Sequence, residues 1–510
     1  MKKRYSQTQN SQEVNSIIMD GGIKDFPRFY WEFIRDGFEI ENPNISEPLP
    51  GPPSLLKIWR DDEYNLEGSI TGIAKSTGFG PARGNIPGSL VPLFDIKGMT
   101  DRQEIYEIDG CYTKSISYSS KEVPIIPSQP PFRYHIGLGL RQIKIALEHD
   151  KSSKWWTDWY INATDKPFVF YRYMSIEISQ RLTQKRSNIN DSRILENQTE
   201  TSSMNYAFVQ CPDFSFIIHK VPKEFQTGWS NGIGIEYGSE RGRIPTDLER
   251  NAISEIVSFL FGKQLLKVGH LSLHEDNRIV EMVSTDHLAR DAKRICKSGG
   301  RPPIRLDGFE NGKTFETVLS TLIPKYFVLR DELKLDEVLW RFWVGSRLPI
   351  GVNIPIIASG IEILARSWLE SSQSDMRSVY MEKNEFEKLL EKELSAIEVR
   401  LGTQKYRDRM IRRIMGAYNM GSNEKLEFFF EGINLPLGKI ENEAMKSRNS
   451  MIHGSVDGSD SDFEHLVQLT DAYTTLFHRT ILKILGYSGD YVDYSIEGWP
   501  TKIMNRAAGT

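Results

Sequence analysis

An arginine and a histidine five positions apart, in the stretch Arg448-Asn449-Ser450-Met451-Ile452-His453-Gly454, are the residues in this sequence best suited to chemistry on a phosphodiester. A guanidinium offers a phosphate a fixed fork of donors. An imidazole near neutral pH takes a proton from a hydroxyl or returns one to a leaving oxygen. Residues five apart on a helix advance about 500°, so Arg448 and His453 lie within roughly 140° of each other and both reach a site at the helix end. The same spacing also suits a structural arginine and a helix-end histidine favoured by the helix dipole. The elements around the pair decide between the two.

From the Pro/Gly-rich stretch Gly299-Gly300-Arg301-Pro302-Pro303 onward, apolar residues recur at helical spacing. Helices are predicted over residues 314–329, 335–344, 354–371, 385–401, 406–418, 423–430, 440–452 and 462–485. The pair thus ends the penultimate helix, which Gly454 stops. Leu466, Leu469, Ala472, Tyr473, Leu476, Ile481 and Ile484 form the buried stripe of the last one. Before residue 300 the pattern is that of β-structure: short segments rich in β-branched and aromatic residues, at 64–74, 104–112, 134–147, 168–178, 205–219 and 232–237, separated by Pro/Gly-rich turns. Two helices close this part, at 246–261 and 284–296. The expected fold is α+β and multidomain, with a β-sandwich-like domain over residues 1–300 and an all-α bundle over residues 301–510.

Composition narrows the function classes. The formal net charge of −4 gives no global attraction to nucleic acid, so RNA binding has to come from local patches. Two basic stretches stand out. One holds Arg290, Lys293, Arg294, Lys297, Arg301 and Arg305; the other holds Arg400, Lys405, Arg407, Arg409, Arg412 and Arg413. Solvated faces are the ordinary reading of such runs, and RNA-binding surfaces the functional one; Arg407, Arg409, Arg412 and Arg413 are the RNA-binding candidates. No apolar run is long enough to cross a bilayer, and Met1-Lys2-Lys3-Arg4 is followed by polar residues rather than an apolar stretch, so a cytoplasmic protein is expected. Cys111, Cys211 and Cys296 are widely separated and lack metal-ligand spacing. His270, His274 and Glu275 would share a face only on a strand, without further ligands, and no metal is expected.

Glu362 is the one charge in the apolar stretch 354–364. An unpaired buried carboxylate costs several kcal/mol, so a partner is expected unless Glu362 faces solvent; Arg366, one turn on, is a local alternative.

The Arg448-Asn449 to His453 element, one helix before the end of a helical domain, resembles the motif of the HEPN superfamily, in which a polar residue follows the arginine. The whole layout, β-rich and then helical, resembles the ApeA-type abortive-infection proteins of bacteria. The resemblance implies a metal-independent endoribonuclease without cofactor, acting as a homodimer or higher homo-oligomer with a composite site. It implies cleavage of host RNA, tRNA included, in anti-phage defence, by attack of the RNA's own 2′-hydroxyl. His453 would be general base or acid, Arg448 would stabilise phosphate charge, Asn449 would orient, and Glu362 would be the acidic residue that many such domains pair with the motif arginine. The β-rich domain would be the regulator, answering to a phage-derived trigger. The alternative is a catalytically silent domain of the same type that binds RNA or nucleotide as a scaffold.

Trp155, Trp156 and Trp159 are either core or an exposed recognition surface. The stretch from Gly232 to Gly238 has the wrong spacing and context for a dinucleotide loop, and reads as a hairpin or close-packed strand.

Overall fold

The computed structural model describes residues 34, 37–43, 45, 49–74, 93–99, 105–119, 132–146, 153–164, 173–178, 182–186, 200–204, 206–221, 230–275, 279–289, 291–297, 299–306, 311–371, 379–452 and 460–509. They divide into two compact units. One comprises residues 1–246, 264–300 and 306–317, the other residues 247–263, 301–305 and 318–510.

The first unit is built on antiparallel strands: β1 (Phe38–Glu41), β2 (Pro53–Arg60), β3 (Leu66–Ala74), β4 (Phe94–Met99), β5 (Ile105–Ser119), β6 (Phe132–Gly139), β7 (Gln142–Ala146), β8 (Trp155–Ala163), β9 (Tyr173–Ile178), β10 (Leu182–Arg186), β11 (Glu200–Met204), β12 (Tyr206–Gln210), β13 (Phe214–Lys220), β14 (Asn231–Gly242), β15 (Leu266–Leu273) and β16 (Ile279–Thr285). Thirteen of them form one sheet in the order β1-β2-β3-β6-β5-β7-β16-β15-β8-β14-β13-β12, with β4 on β5; β10-β9-β11 form a small separate sheet.

This corrects the expected β-sandwich. Strand β5 pairs with β6 through residues 112–119 and with β7 through residues 105–109, turning at Gly110, whose φ of 64° suits glycine. Backbone hydrogen bonding therefore runs without a break where two facing sheets were expected. Apolar alternation reports which side chains face inward. It does not report whether the next strand continues the same sheet. Leu56, Ile70, Tyr134 and Ile136 from one end of the path share a buried cluster with Ile143, Trp155, Leu271 and Met282 from its middle.

Three strands of the middle of this sheet were not read from the sequence: β8, β15 and β16. The helix expected over 284–296 is instead the end of β16 followed, after a gap, by the short α2 (Ala292–Lys297). Trp155 and Trp159 are buried, whereas Trp156 is half-buried and stacks on His270, with ring centroids 4.4 Å apart. The run from Gly232 to Gly238 lies inside β14. A Cβ at Gly234 would come within 2.5 Å of His219 Nε2, so the strand needs glycine there to pack.

The second unit holds α1 (Asp247–Phe261), most of α3 (Asn311–Leu329), α4 (Leu335–Gly345), α5 (Asn353–Glu370), α6 (Lys383–Leu389), α7 (Glu391–Leu401), α8 (Arg407–Met415), α9 (Ser422–Gly432), α10 (Lys439–Ile452) and α11 (Asp460–Ile484). It is not the expected all-α bundle: β17 (Asp490–Val492) and β18 (Thr501–Ile503) form a hairpin after α11. Asp493, fully buried beside that hairpin, is held by Lys502 at 2.8 Å and by the backbone N–H groups of Ser495 and Gly509. No helix among the described residues is long and apolar enough to cross a membrane.

Helix α11 is buried on every side from Leu469 to Leu482, its polar residues included. Thr474, Thr475 and Thr480 donate to the carbonyls four residues back, at 3.0, 2.9 and 2.7 Å, so their hydroxyls are satisfied within the helix itself. Asp471 pairs with Arg301, and Arg479 with Glu441. Both charged side chains thus enter the core already matched.

Candidate functional site

Four helices bring the candidate site together. On α10, Glu441, Ala444 and Arg448 are buried at spacings of three and four, so they line one helical face. At the C-terminal end of that face Arg448, 6% exposed, forms an ion pair through Nη1 with Glu362 of α5. Its Nη2 donates to Oδ1 of Asn423, at the start of α9, at 3.1 Å. The Tyr473 hydroxyl of α11 lies beside the same guanidinium. Burial pushes its pKa up, with Arg448 drawing it back down and Glu362 adding to the rise.

Glu362 therefore pairs with the motif arginine, and not with Arg366, which is exposed one turn along α5. The Glu362 side chain keeps 36% of its surface in solvent, and that of Arg448 only 8%. The arrangement is a cation held from behind by protein groups, with its carboxylate partner at the solvent edge. Such a guanidinium has a fixed direction: Nη1 is buried, Nη2 is engaged by Asn423, and what reaches solvent at this edge is chiefly the Glu362 carboxylate.

Asn449 lies within α10, with its side chain outside what is described, and His453 follows the last residue of α10 and lies outside the described residues. The structure thus brings together Arg448 and Glu362 and adds Asn423 and Tyr473, which were not singled out as site residues. For Tyr473 a signal was present. A tyrosine on the buried stripe of the last helix has to place its hydroxyl against a polar group, and the motif arginine was one helix away. Asn423 carried no such signal, since an Asn near a helix start is read as a cap.

The four arginines proposed for RNA do not behave alike. Arg407 is drawn to Glu398 of α7, at 3.8 Å. Arg409, Arg412 and Arg413 are exposed, and among the described residues no carboxylate forms an ion pair with them. In the other basic stretch, Arg301 pairs with Asp471 and lies over the Tyr494 ring, and Arg305 donates to the Trp499 carbonyl at 3.0 Å.

His270 faces Glu281 at 2.8 Å, and Glu281 also pairs with Lys144; hydrogen bonds from both hold its carboxyl down at about 2 against the opposing effect of burial. Among the described residues no group of three His, Cys, Asp or Glu side chains could hold a metal ion. Compared with protein-family models, curated proteins and solved structures, the chain matches none.

Proposed function

We propose that this protein is a metal-independent endoribonuclease of the HEPN type, similar in layout to the ApeA-type abortive-infection proteins, working in the cytoplasm on host RNA such as tRNA. The observation that carries this reading is the Arg448–Glu362 pair. A carboxylate from α5 and Asn423 from α9 hold the arginine at the end of α10, five residues before His453.

In the reaction the RNA 2′-oxygen attacks the adjacent phosphorus and the bond to the 5′-oxygen breaks. The 2′-hydroxyl proton passes to a base, and the leaving 5′-oxygen takes up a proton, giving a 2′,3′-cyclic phosphate and a 5′-hydroxyl. His453 serves one of the two proton transfers, Arg448 offsets the charge on the phosphoryl oxygens, and Asn449 orients one or the other. Glu362 and Asn423 aim Arg448. A homodimer would supply the second set of groups. Acid–base assistance contributes about 10²- to 10⁴-fold and a placed charge donor about 10²- to 10³-fold, so loss of either side chain should abolish the biological effect.

The test is to express wild type, Arg448→Ala and His453→Ala in cells challenged with phage and to sequence RNA with 5′-hydroxyl ends. New ends in wild type alone are expected, and they name the substrate. Identical ends in all three strains, with expression and protection confirmed, overturn the reading. A wild type that binds RNA and never cuts it supports the silent scaffold.

A further inference from the structure

Residues 381–417 form a helical arm whose base is clasped at the candidate site. Val379 and Asn419 form an isolated β-bridge, and the Tyr380 N–H donates to the Tyr418 carbonyl at 2.9 Å. The Tyr380 hydroxyl bonds Glu424, whose carboxylate also accepts from the Gly421 N–H at 2.6 Å. Glu424 adjoins Asn423, the residue that receives the Arg448 hydrogen bond.

Beyond that clasp the arm has little core of its own. Phe386, packed against Tyr418, is the one buried residue of α6, and α7 and α8 bury none. Leu389, Val399, Tyr406 and Met410 are 64%, 81%, 58% and 45% exposed. Helices shorter than about 12–15 residues are marginal in water without packing, so a chain that keeps α7 and α8 helical gains from a bound partner.

The chemistry of α8 identifies that partner. At about 100° per residue, Met410, Ile411, Ile414 and Met415 fall on one side, together with Arg407, which is turned to Glu398. Arg409, Arg412 and Arg413 fall within an arc of about 100° on the other side, exposed and without a carboxylate partner among the described residues. From Lys405 to Arg413 the chain carries five basic residues, Lys405, Arg407, Arg409, Arg412 and Arg413, against Asp408 alone. The helix dipole accounts for arginine in the last turn, where Arg412 and Arg413 stand, and not for Arg409 earlier on the same face. Three planar guanidinium forks in a row match successive phosphates along a strand.

We propose that this arm is an RNA-docking element in which Arg409, Arg412 and Arg413 grip the phosphate backbone next to the Arg448 site. This rests on the ribonuclease reading for its choice of polyanion, and its test does not depend on cleavage. The probe is a labelled single-stranded RNA of mixed sequence with 2′-O-methyl riboses, which lacks the attacking hydroxyl. Its affinity for the full chain is measured from low to high salt.

Replacing all three arginines by alanine should lower the slope of log affinity against log salt by about 2, since each phosphate contact on a single strand contributes about 0.7. The triple lysine variant should keep the slope, and Lys439→Ala, outside the arm, should leave it unchanged. An unaltered slope in the alanine variant overturns the proposal. So does a wild type that binds phosphatidylserine vesicles or polyglutamate but not the RNA. If the slope falls as expected while unmodified RNA is never cut, the docking arm stands and the ribonuclease reading fails.

Discussion

The helical unit contains two arginine–glutamate pairs on the same helix, and they are built for different ends. Glu441, near the start of α10, and Arg479 of α11 are both fully buried. Glu441 Oε2 accepts from the N–H groups of Gly438 at 2.8 Å and Ala508 at 3.3 Å, while Arg479 donates to the Pro436 carbonyl at 2.9 Å and lies over the Tyr491 ring. Arg448, two turns further along α10, meets a carboxylate that reaches solvent. A charge pair sealed from water can only hold helices together. One with an open edge can meet a charged ligand. The difference shows that the type of pair says little about its role, and that access to solvent says most.

The largest effect expected is on the sealed pair. Arg479→Met leaves Glu441 buried and uncompensated and should cost about 3–5 kcal/mol, read as an early loss of the helical unit in urea. Glu362→Gln should cost about 1 kcal/mol or less, because its pair reaches solvent, and yet, on the proposed ribonuclease reading, lower RNA cleavage by about 10²-fold. If Glu362→Gln unfolds the unit and Arg479→Met does not, the contrast is reversed and the open pair is the structural one.

The next effect is on pH dependence, and it sharpens the sealed side. His478, beside Arg479, is fully buried among Phe259, Phe342 and Tyr494, and neither ring nitrogen has a hydrogen-bond partner among the described residues. Burial, and then the charge of Arg301, push its pKa down to about 3. The unfolded imidazole takes up a proton near pH 6.5 that the folded one refuses. Its contribution to stability is therefore complete above that pH and is lost as pH falls from there towards 3. His478→Leu should flatten the acid limb of stability between those limits. A residual slope should remain from His287 of the β-rich unit, which burial also pushes down, and, below about pH 4.5, from Glu281, whose carboxyl is held down at about 2. An unchanged limb would mean that the imidazole is solvated.

The smallest effect is expected at Tyr473. Removing its hydroxyl in Tyr473→Phe leaves the ring in the core and should change stability by no more than about 1 kcal/mol. A larger loss, read by the same urea titration, would make the hydroxyl a main support of Arg448.

The helices of the second unit were nearly all legible, beginning and ending within a few residues of the periodicity, because each buries a face whose spacing is written locally. The exception is the helix read over 385–401, which breaks at Leu390 into α6 and α7. The sheet was less legible, and its central strands show why. Asp158, Lys267, His270 and Glu281 put charge into β8, β15 and β16 and spoil the apolar pattern by which strands are read. Once the strands are adjacent, those charges answer one another: Lys267 reaches Asp158 at 2.7 Å and His270 reaches Glu281 at 2.8 Å. Cross-strand pairing makes them acceptable, and pairing is invisible along one strand.

Local order thus followed from the chain alone: the helical periods, the place of Arg448 at a helix end, and Glu362 as the one charge in an apolar stretch. These depend on neighbours a few residues apart. The union of the strands into one sheet, the choice of Arg448 over Arg366 for Glu362, the addition of Asn423 and Tyr473, and the sealing of one pair but not the other depend on residues brought together from distant positions. A side chain's period reports that it turns inward. What it meets there, and whether water follows, is settled by the packing of elements that are remote in sequence.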